Sequence, residues 1–335
     1  MKEKILILRL SSLGDILLAT PFIRQVRTAF PQADIDFVIK EQFHDVIRAN
    51  PHLNRIFKVR QQEGLRGLLK LRQSLVKRKY TYIFDLHNNM RTRILTLFLH
   101  APHLKRIKKG KIKRFLLVNF KINFYKKIIP VSERYLKTAE SAHVRDDGYG
   151  LEIFWKDFQE NKLNKKMHGL NLPQQFIVLA PGATAFTKKW PIEYYSAVIR
   201  SLINQGERIL ILGSEQDKET FDELVQSKKV INLAGKTSIL DTAVIIRAAR
   251  AMICNDSGLM HMAAAVKTPL LAIFGSTVKE LGFGPYRSEN KVVENKGLAC
   301  RPCSHVGRDK CPQKHFKCMK EIKPEMVLKR FGELL

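Results

Sequence analysis

The feature that most limits the fold is an alternation running through nearly all 335 residues. Short apolar runs of strand type take turns with segments of helical spacing. KILILRL (4–10), DIDFVIK (34–40) and YTYIFDL (80–86) read as buried strands, with TPFIRQVRTAF (20–30) and GLLKLRQSLVKR (67–78) as helices between them. The second half repeats the scheme. FIVLAPG, RILILGS, VINLAG, AMICND and LLAIFGS read as strands, and PIEYYSAVIRSLINQ, DKETFDELVQS, DTAVIIRAAR and SGLMHMAAAV as helices. Such alternation predicts an α/β protein with two parallel sheets, each covered by helices. Ligands of such sheets bind beyond the carboxyl ends of the strands.

The length exceeds what one core usually serves, which predicts two domains. The polar stretch FQENKLNKKMHGLNLPQQ (158–175) is the expected boundary. It gives Rossmann-like domains over 1–165 and 166–320. An amphipathic helix over 321–335 is expected to pack near the domain interface. No apolar run approaches the roughly 20 residues of a membrane span. Arg9 and Asp15 interrupt the first apolar stretch, which argues against an export signal and predicts a cytoplasmic protein.

Four strand-to-helix turns carry chemistry. RLSSLGDILLATP (9–21) brings Ser11, Ser12, Gly14 and a lone carboxylate, Asp15, to the end of the first strand. Ser and Asp there are good helix-capping residues. A carboxylate beyond a strand end can equally take a proton. LAPGATAFTKKWP (179–191) offers Thr184, Thr187 and Lys188 to phosphate oxygens, or else solvated lysines on a helix-entry loop. It is not a Walker A loop. CNDSGLMHMAAA (254–265) sets Asp256, Ser257 and Gly258 before a helix carrying His261, which suits a diphosphate or a plain helix cap. LGSEQDKE places Glu215 beyond a strand, where it can take a ribose hydroxyl pair or face solvent.

Taken together, these turns resemble those of the ADP-heptose lipopolysaccharide heptosyltransferases, inverting glycosyltransferases of GT-B fold. SSLGDILLATP, PGATAFTKKWP, LGSEQDKE, NDSGLMHMAAA with IFGST, and CRPCSHVGRDKCPQKHFKCM carry the resemblance, which covers essentially the whole chain. The cysteine-rich tail is most similar to the enzymes adding the second heptose. The resemblance implies that Asp15 is the general base and Lys188 the phosphate-binding lysine, with Lys189 beside it. It implies Glu215 at the ribose and Asp256, Ser257, Gly258 and His261 at the diphosphate and sugar. Thr237, Ser238 and Leu240 fall where the family contacts adenine. The implied donor is ADP-heptose, transferred without metal or other cofactor, and no Asp-x-Asp motif stands beside a strand end. The implied acceptor is an anionic glycolipid, Kdo-lipid A or heptosyl-Kdo-lipid A. It lies in the cytoplasmic leaflet of the inner membrane, where the protein would be peripheral.

Charge now matters. The formal net charge is +28, of which residues 1–167 carry +20. Such a field gathers anionic partners. Ten Lys/Arg lie between Lys105 and Lys127, interleaved with Phe115, Phe120, Phe124 and Tyr125. Ser11, Ser12, Gly14, Arg55, Arg60, Arg91, Arg93, Lys108 and Lys111 are the expected acceptor or membrane contacts. Nucleic acid is the other polyanion to weigh, but no RRM, KH or zinc-finger pattern supports it. A GT-B enzyme with another donor sugar is the second alternative. Cys300, Cys303, Cys311 and Cys318 form C-x2-C-x7-C-x6-C. Free thiols or a structural metal both suit that spacing.

Overall fold

The computed structural model describes residues 2–155, 161 and 173–335. Most of the expected boundary stretch, 158–175, therefore lies outside the described residues. The first-half strands are β1 (Lys4–Leu8), β2 (Asp34–Lys40), β3 (Arg55–Val59), β4 (Tyr82–Asp85) and β5 (His103–Arg106). They form one parallel sheet in the order β3-β2-β1-β4-β5. The second-half strands are β6 (Ile177–Ala180), β7 (Ile209–Ile211), β8 (Val230–Asn232), β9 (Ala251–Asn255), β10 (Leu270–Phe274) and β11 (Asn290–Glu294). They form a second parallel sheet, β11-β10-β9-β6-β7-β8. In register, Ile5 faces Ile35 and Tyr82, and Ile177 faces Ile209 and Ala251.

Central strands are buried on both faces, so they read as unbroken apolar runs. Ile5 to Leu8 and Leu270 to Ile273 are wholly inaccessible to solvent. Each such side chain is worth roughly 1.5–3 kcal/mol of burial. The strands absent from the sequence reading are β3, β5 and β11, all at sheet edges. Their sequences, RIFKV, HLKR and NKVVE, are charged and partly exposed. Charge on an edge strand blocks pairing with other chains and hides the apolar pattern.

The helix expected over 20–30 spans Thr20–Ala29, and a separate short helix, Leu13–Leu17, precedes it. Pro21 lies in the first turn of the longer helix, where its missing N–H costs nothing. Inside one continuous helix it would clash with the carbonyl four residues back. The Thr20 hydroxyl instead donates to the Leu17 carbonyl at 2.7 Å. DKETFDELVQS holds only a short helix, Lys218–Asp222, after a 3-10 turn over Glu215–Asp217.

The chain divides into two compact units. Met1–Lys109 and Pro130–Lys156 form the first, and Gly110–Ile129 and Asp157–Leu335 the second. The basic stretch after Lys109 thus leaves the first unit, against the sequence boundary. Lys121 Nζ ties it to the Pro302 carbonyl at 2.7 Å. The returning segment is fixed to the first unit by Ser132, whose hydroxyl donates to the Leu18 carbonyl at 2.8 Å, and by the Arg24–Asp147 pair at 2.6 Å. In the second unit, the last helix, Pro324–Gly332, buries Val327 and Phe331 in the core shared with β10 and helix Ile192–Asn204.

Candidate active site

Both sheets reverse their winding once. In the first, the chain runs outward from β1 through β2 to β3, then restarts on the other side of β1 with β4. In the second the reversal falls between β6 and β9. Crevices at such reversals, beyond the strand carboxyl ends, are the usual ligand positions of open α/β sheets. The residues after β1 and β4, and those after β6 and β9, are therefore the ones to inspect.

After β1, Arg9 is 8% exposed and donates Nη1 to the Leu86 carbonyl beyond β4 at 2.8 Å. Its Nη2 pairs with Asp15 Oδ1 at 2.5 Å, and its guanidinium lies 5.7 Å from the Tyr135 ring centroid. Asp15 Oδ2 accepts from the Ser12 backbone N–H at 3.1 Å and the Ser12 hydroxyl at 2.9 Å. Asp15 thus does the capping chemistry that its position suggests. A carboxylate offers about four lone-pair directions, and three are used, so one stays available to a hydroxyl. Burial pushes the Asp15 carboxyl up. The Arg9 charge and the Ser12 hydrogen bonds push it down further, and the net shift is below the ordinary value. Asp15 is ionised at neutral pH. Gly14 is buried within the helix Leu13–Leu17, so it offers no open backbone to a ligand.

The β4 side adds residues that the motifs did not mark. Asp85 Oδ1 accepts from the backbone N–H groups of His87 and Asn88 at 3.1 and 2.6 Å, folding 85–88 into a tight turn. His87 Nδ1 and Asn88 Oδ1 are buried without a hydrogen-bond partner in the protein. Burial and the Arg9 and Lys109 charges lower the His87 pKa to about 3, so the ring is neutral.

After β6, the loop Pro181–Lys189 is tied to Asn255 and Asp256 at the end of β9. Lys188 Nζ meets Asp256 Oδ2 at 2.8 Å, joining two residues 68 positions apart in the sequence. The Thr277 hydroxyl donates to the same oxygen at 2.7 Å. Lys189 is held elsewhere, by Asp217 at 3.1 Å. This separates two lysines that the sequence left side by side. Asn255 braces the turn, donating to the Pro181 carbonyl at 2.5 Å and accepting from the Trp190 N–H at 3.2 Å. Ser257 precedes helix Gly258–Ala265, yet its hydroxyl caps nothing and is buried without a hydrogen-bond partner. His261 is buried on that helix.

Of the other expected donor contacts, Thr187 falls differently. Thr187 is interior: its hydroxyl donates to Ser276 Oγ at 3.0 Å and accepts from the Arg308 N–H at 2.8 Å. It cannot reach a phosphate, because the 303–308 loop covers it. Thr184 is exposed. Leu240 is buried, and the Ser238 hydroxyl caps helix Ile239–Ala248 by accepting from the Asp241 N–H at 3.2 Å. Thr237 meets Thr242, hydroxyl to hydroxyl, at 2.8 Å. Glu215 has a 71% exposed side chain. It lies against Gly235, whose φ of +73° and closeness to the Glu215 Cα exclude a side chain.

The basic residues do not form one group. Arg55 is exposed on edge strand β3, and Arg93 is exposed on helix Met90–Thr96. Arg60 pairs with Glu41 and Glu63, both at 3.2 Å. Arg60 and Arg91 line a cavity of about 260 Å³ with Lys40, Leu65 and Leu68. Lys108 follows β5 in the first unit, whereas Lys111 belongs to the second. Cys300, Cys303, Cys311 and Cys318 are free thiols. Among the described residues, no three His, Cys, Asp or Glu side chains gather as a metal site.

One parallel α/β unit with a fixed cation and a helix N-terminus at its winding reversal, and another parallel unit in the same chain presenting a carboxylate, are the parts of the GT-B glycosyltransferases. The profile of glycosyltransferase family 9 (heptosyltransferase) matches residues 68–314, and the chain belongs to that family. Lipopolysaccharide heptosyltransferase 2 of Salmonella typhimurium is 26% identical over 349 residues, covering 99% of this chain and 98% of its own. The family 9 glycosyltransferase of Veillonella parvula superposes with a TM-score of 0.81 at 23% identity, covering 99% of this chain and 97% of its own. The E. coli ADP-heptose LPS heptosyltransferase II superposes with a TM-score of 0.76 at 24% identity, covering 100% and 98%.

Proposed function

We propose that the protein transfers heptose from ADP-heptose to the inner core of lipopolysaccharide, with inversion and without a metal ion. The Lys188–Asp256 pair at the β6/β9 reversal, beside the uncommitted Ser257 hydroxyl, is the observation that carries this reading. Asp256 holds the lysine in place. Its ammonium and the N–H groups opening helix Gly258–Ala265 would stabilise the departing diphosphate, the electrostatic work that a metal performs elsewhere. Glu215 would take the ribose. Asp15 would accept the proton of the acceptor hydroxyl as it attacks the anomeric carbon on the face opposite the leaving group. The acceptor is an anionic glycolipid, Kdo-lipid A with or without a first heptose, in the cytoplasmic leaflet of the inner membrane.

Transfer assays with ADP-heptose, ADP-glucose, a UDP-sugar and a GDP-sugar, each with and without EDTA, test the reading. ADP-heptose should be consumed at least tenfold faster than the others, and EDTA should change nothing. Preference for another nucleotide, or loss of activity with the chelator, overturns the assignment it concerns.

A further inference from the structure

The segment Gly110–Ile129 has an unusual surface. Seventeen large apolar side chains are exposed among the described residues, and six of them fall between Ile112 and Ile128. Ile112 is 76% exposed, Phe120 60%, Phe115 57% and Phe124 52%, with Ile122 and Ile128 close behind. Between Gly110 and Ile129 there are six basic residues, Lys111, Lys113, Arg114, Lys121, Lys126 and Lys127, and no acidic one. Isolated exposed apolar residues are ordinary, but a contiguous set marks a docking surface.

The segment is shaped rather than slack. Gly110, at φ +56°, opens the helix Lys111–Phe115, which continues into a wider turn over Leu116–Phe120. Lys121, at φ +61°, ends it, and its Nζ donates to the Val118 carbonyl at 2.6 Å and the Pro302 carbonyl at 2.7 Å. Phe115 and Phe120 meet edge to face at 5.8 Å. Within 111–120 only Leu117 is fully buried. Ile112, Phe115 and Phe120 are exposed, with Leu116 and Val118 half-buried.

We infer that Gly110–Ile129 is an interfacial anchor. Its phenylalanines and isoleucines enter the acyl boundary of a membrane, while its lysines and arginines bind anionic lipid headgroups. Charge decides the occupant. An apolar patch alone suits a protein partner or a second copy of the chain. A second copy would bring six further cations against these six, whereas an anionic bilayer supplies both an acyl layer and a dense negative surface. The inference adds to the proposed glycolipid acceptor, for it places the grip on the membrane in the second unit, with the Lys188–Asp256 pair.

Vesicle flotation with phosphatidylglycerol–phosphatidylethanolamine liposomes free of acceptor tests it. Phe115→Ser/Phe120→Ser/Phe124→Ser should lower the partition coefficient at least tenfold. Lys113→Gln/Lys126→Gln/Lys127→Gln should lower it severalfold and flatten its salt dependence. A Phe124→Trp protein should show a blue-shifted, lipid-quenchable emission on these vesicles and not on phosphatidylcholine. Transfer from ADP-heptose to a delipidated, water-soluble acceptor should stay within twofold of wild type in both triple variants. Unchanged vesicle binding by the phenylalanine variant overturns the anchor, as does a concentration-dependent dimer that the same variant abolishes. Loss of soluble-acceptor transfer by the wild type strikes the proposed function instead and leaves the vesicle result standing.

Discussion

The two winding reversals hold the same pair of charges with the parts exchanged. After β1, Arg9 is the buried member, bonded to Leu86 and stacked on Tyr135, and it presents Asp15. After β9, Asp256 is the buried member, held by Thr277, and it presents Lys188. In each case the inner partner orients the outer group, and Arg9 also pulls the Asp15 carboxyl down against the upward push of burial. The outer group differs with the charge it must meet: a hydroxyl proton in one unit, a diphosphate in the other. One topology thus serves opposite electrostatic needs by reversing which member of an ion pair faces outward.

The largest effects should come from removing the two presented groups. Asp15→Asn should slow transfer by about 10²–10⁴, the usual loss of a general base. It should leave ADP affinity unchanged in calorimetry, and Lys188→Ala should weaken ADP binding roughly tenfold, the loss of a charged hydrogen bond. Asp15→Asn also strips the buried Arg9 of its counter-charge, so it should cost roughly 2–3 kcal/mol, below the about 3–5 of a fully buried pair. Adding Arg9→Met should restore the melting temperature and not the rate. A fast Asp15→Asn enzyme would reduce Asp15 to a helix cap and end the parallel.

A smaller effect tests how the second pair is held. Gly307, at φ +97°, crosses Lys188 so closely that an added Cβ would lie 3.0 Å from Lys188 Cδ and 2.4 Å from Ala185 Cβ. Gly307→Ala should cost roughly 1–3 kcal/mol in chemical denaturation, through overpacking and strain. It should also weaken ADP binding severalfold. A variant with normal stability would mean that the loop yields without disturbing the lysine.

The smallest effect belongs to His87 beside Arg9. Its folded pKa, about 3, lies below the ordinary 6.5. The unfolded chain therefore takes up its proton first. Stability is intact above about pH 6.5 and declines as the pH falls from there toward 3. Against His87→Gln, the wild type should lose roughly 1–2 kcal/mol between pH 7.5 and 5. Parallel denaturation curves at both values would place the ring in solvent.

The central strands and the four strand-to-helix turns were legible because each depends on local pattern: apolar runs for buried strands, and Ser, Gly, Asp and Lys at strand ends. What stayed hidden rests on distant partners. The choice of Lys188 over Lys189 depends on Asp256 and Asp217. Thr187 looks like a phosphate contact until Arg308, 121 residues later, accounts for its hydroxyl. His87 and Asn88 gave no motif, since only the β1/β4 pairing brings them near Asp15. Edge strands β3, β5 and β11 escaped notice because their charges break the pattern that marks a strand.

The excursion of Gly110–Ile129 sets a rule for anyone recombining this protein. The chain passes between its units three times, after Lys109, Ile129 and Lys156, so no single crossover separates them. A chimaera joined near residue 160 would carry its own 110–129 onto a foreign second unit, and the Lys121–Pro302 bond would have to form between strangers. A second unit expressed from residue 173 would lack part of its own body. Grafting must therefore move two pieces together.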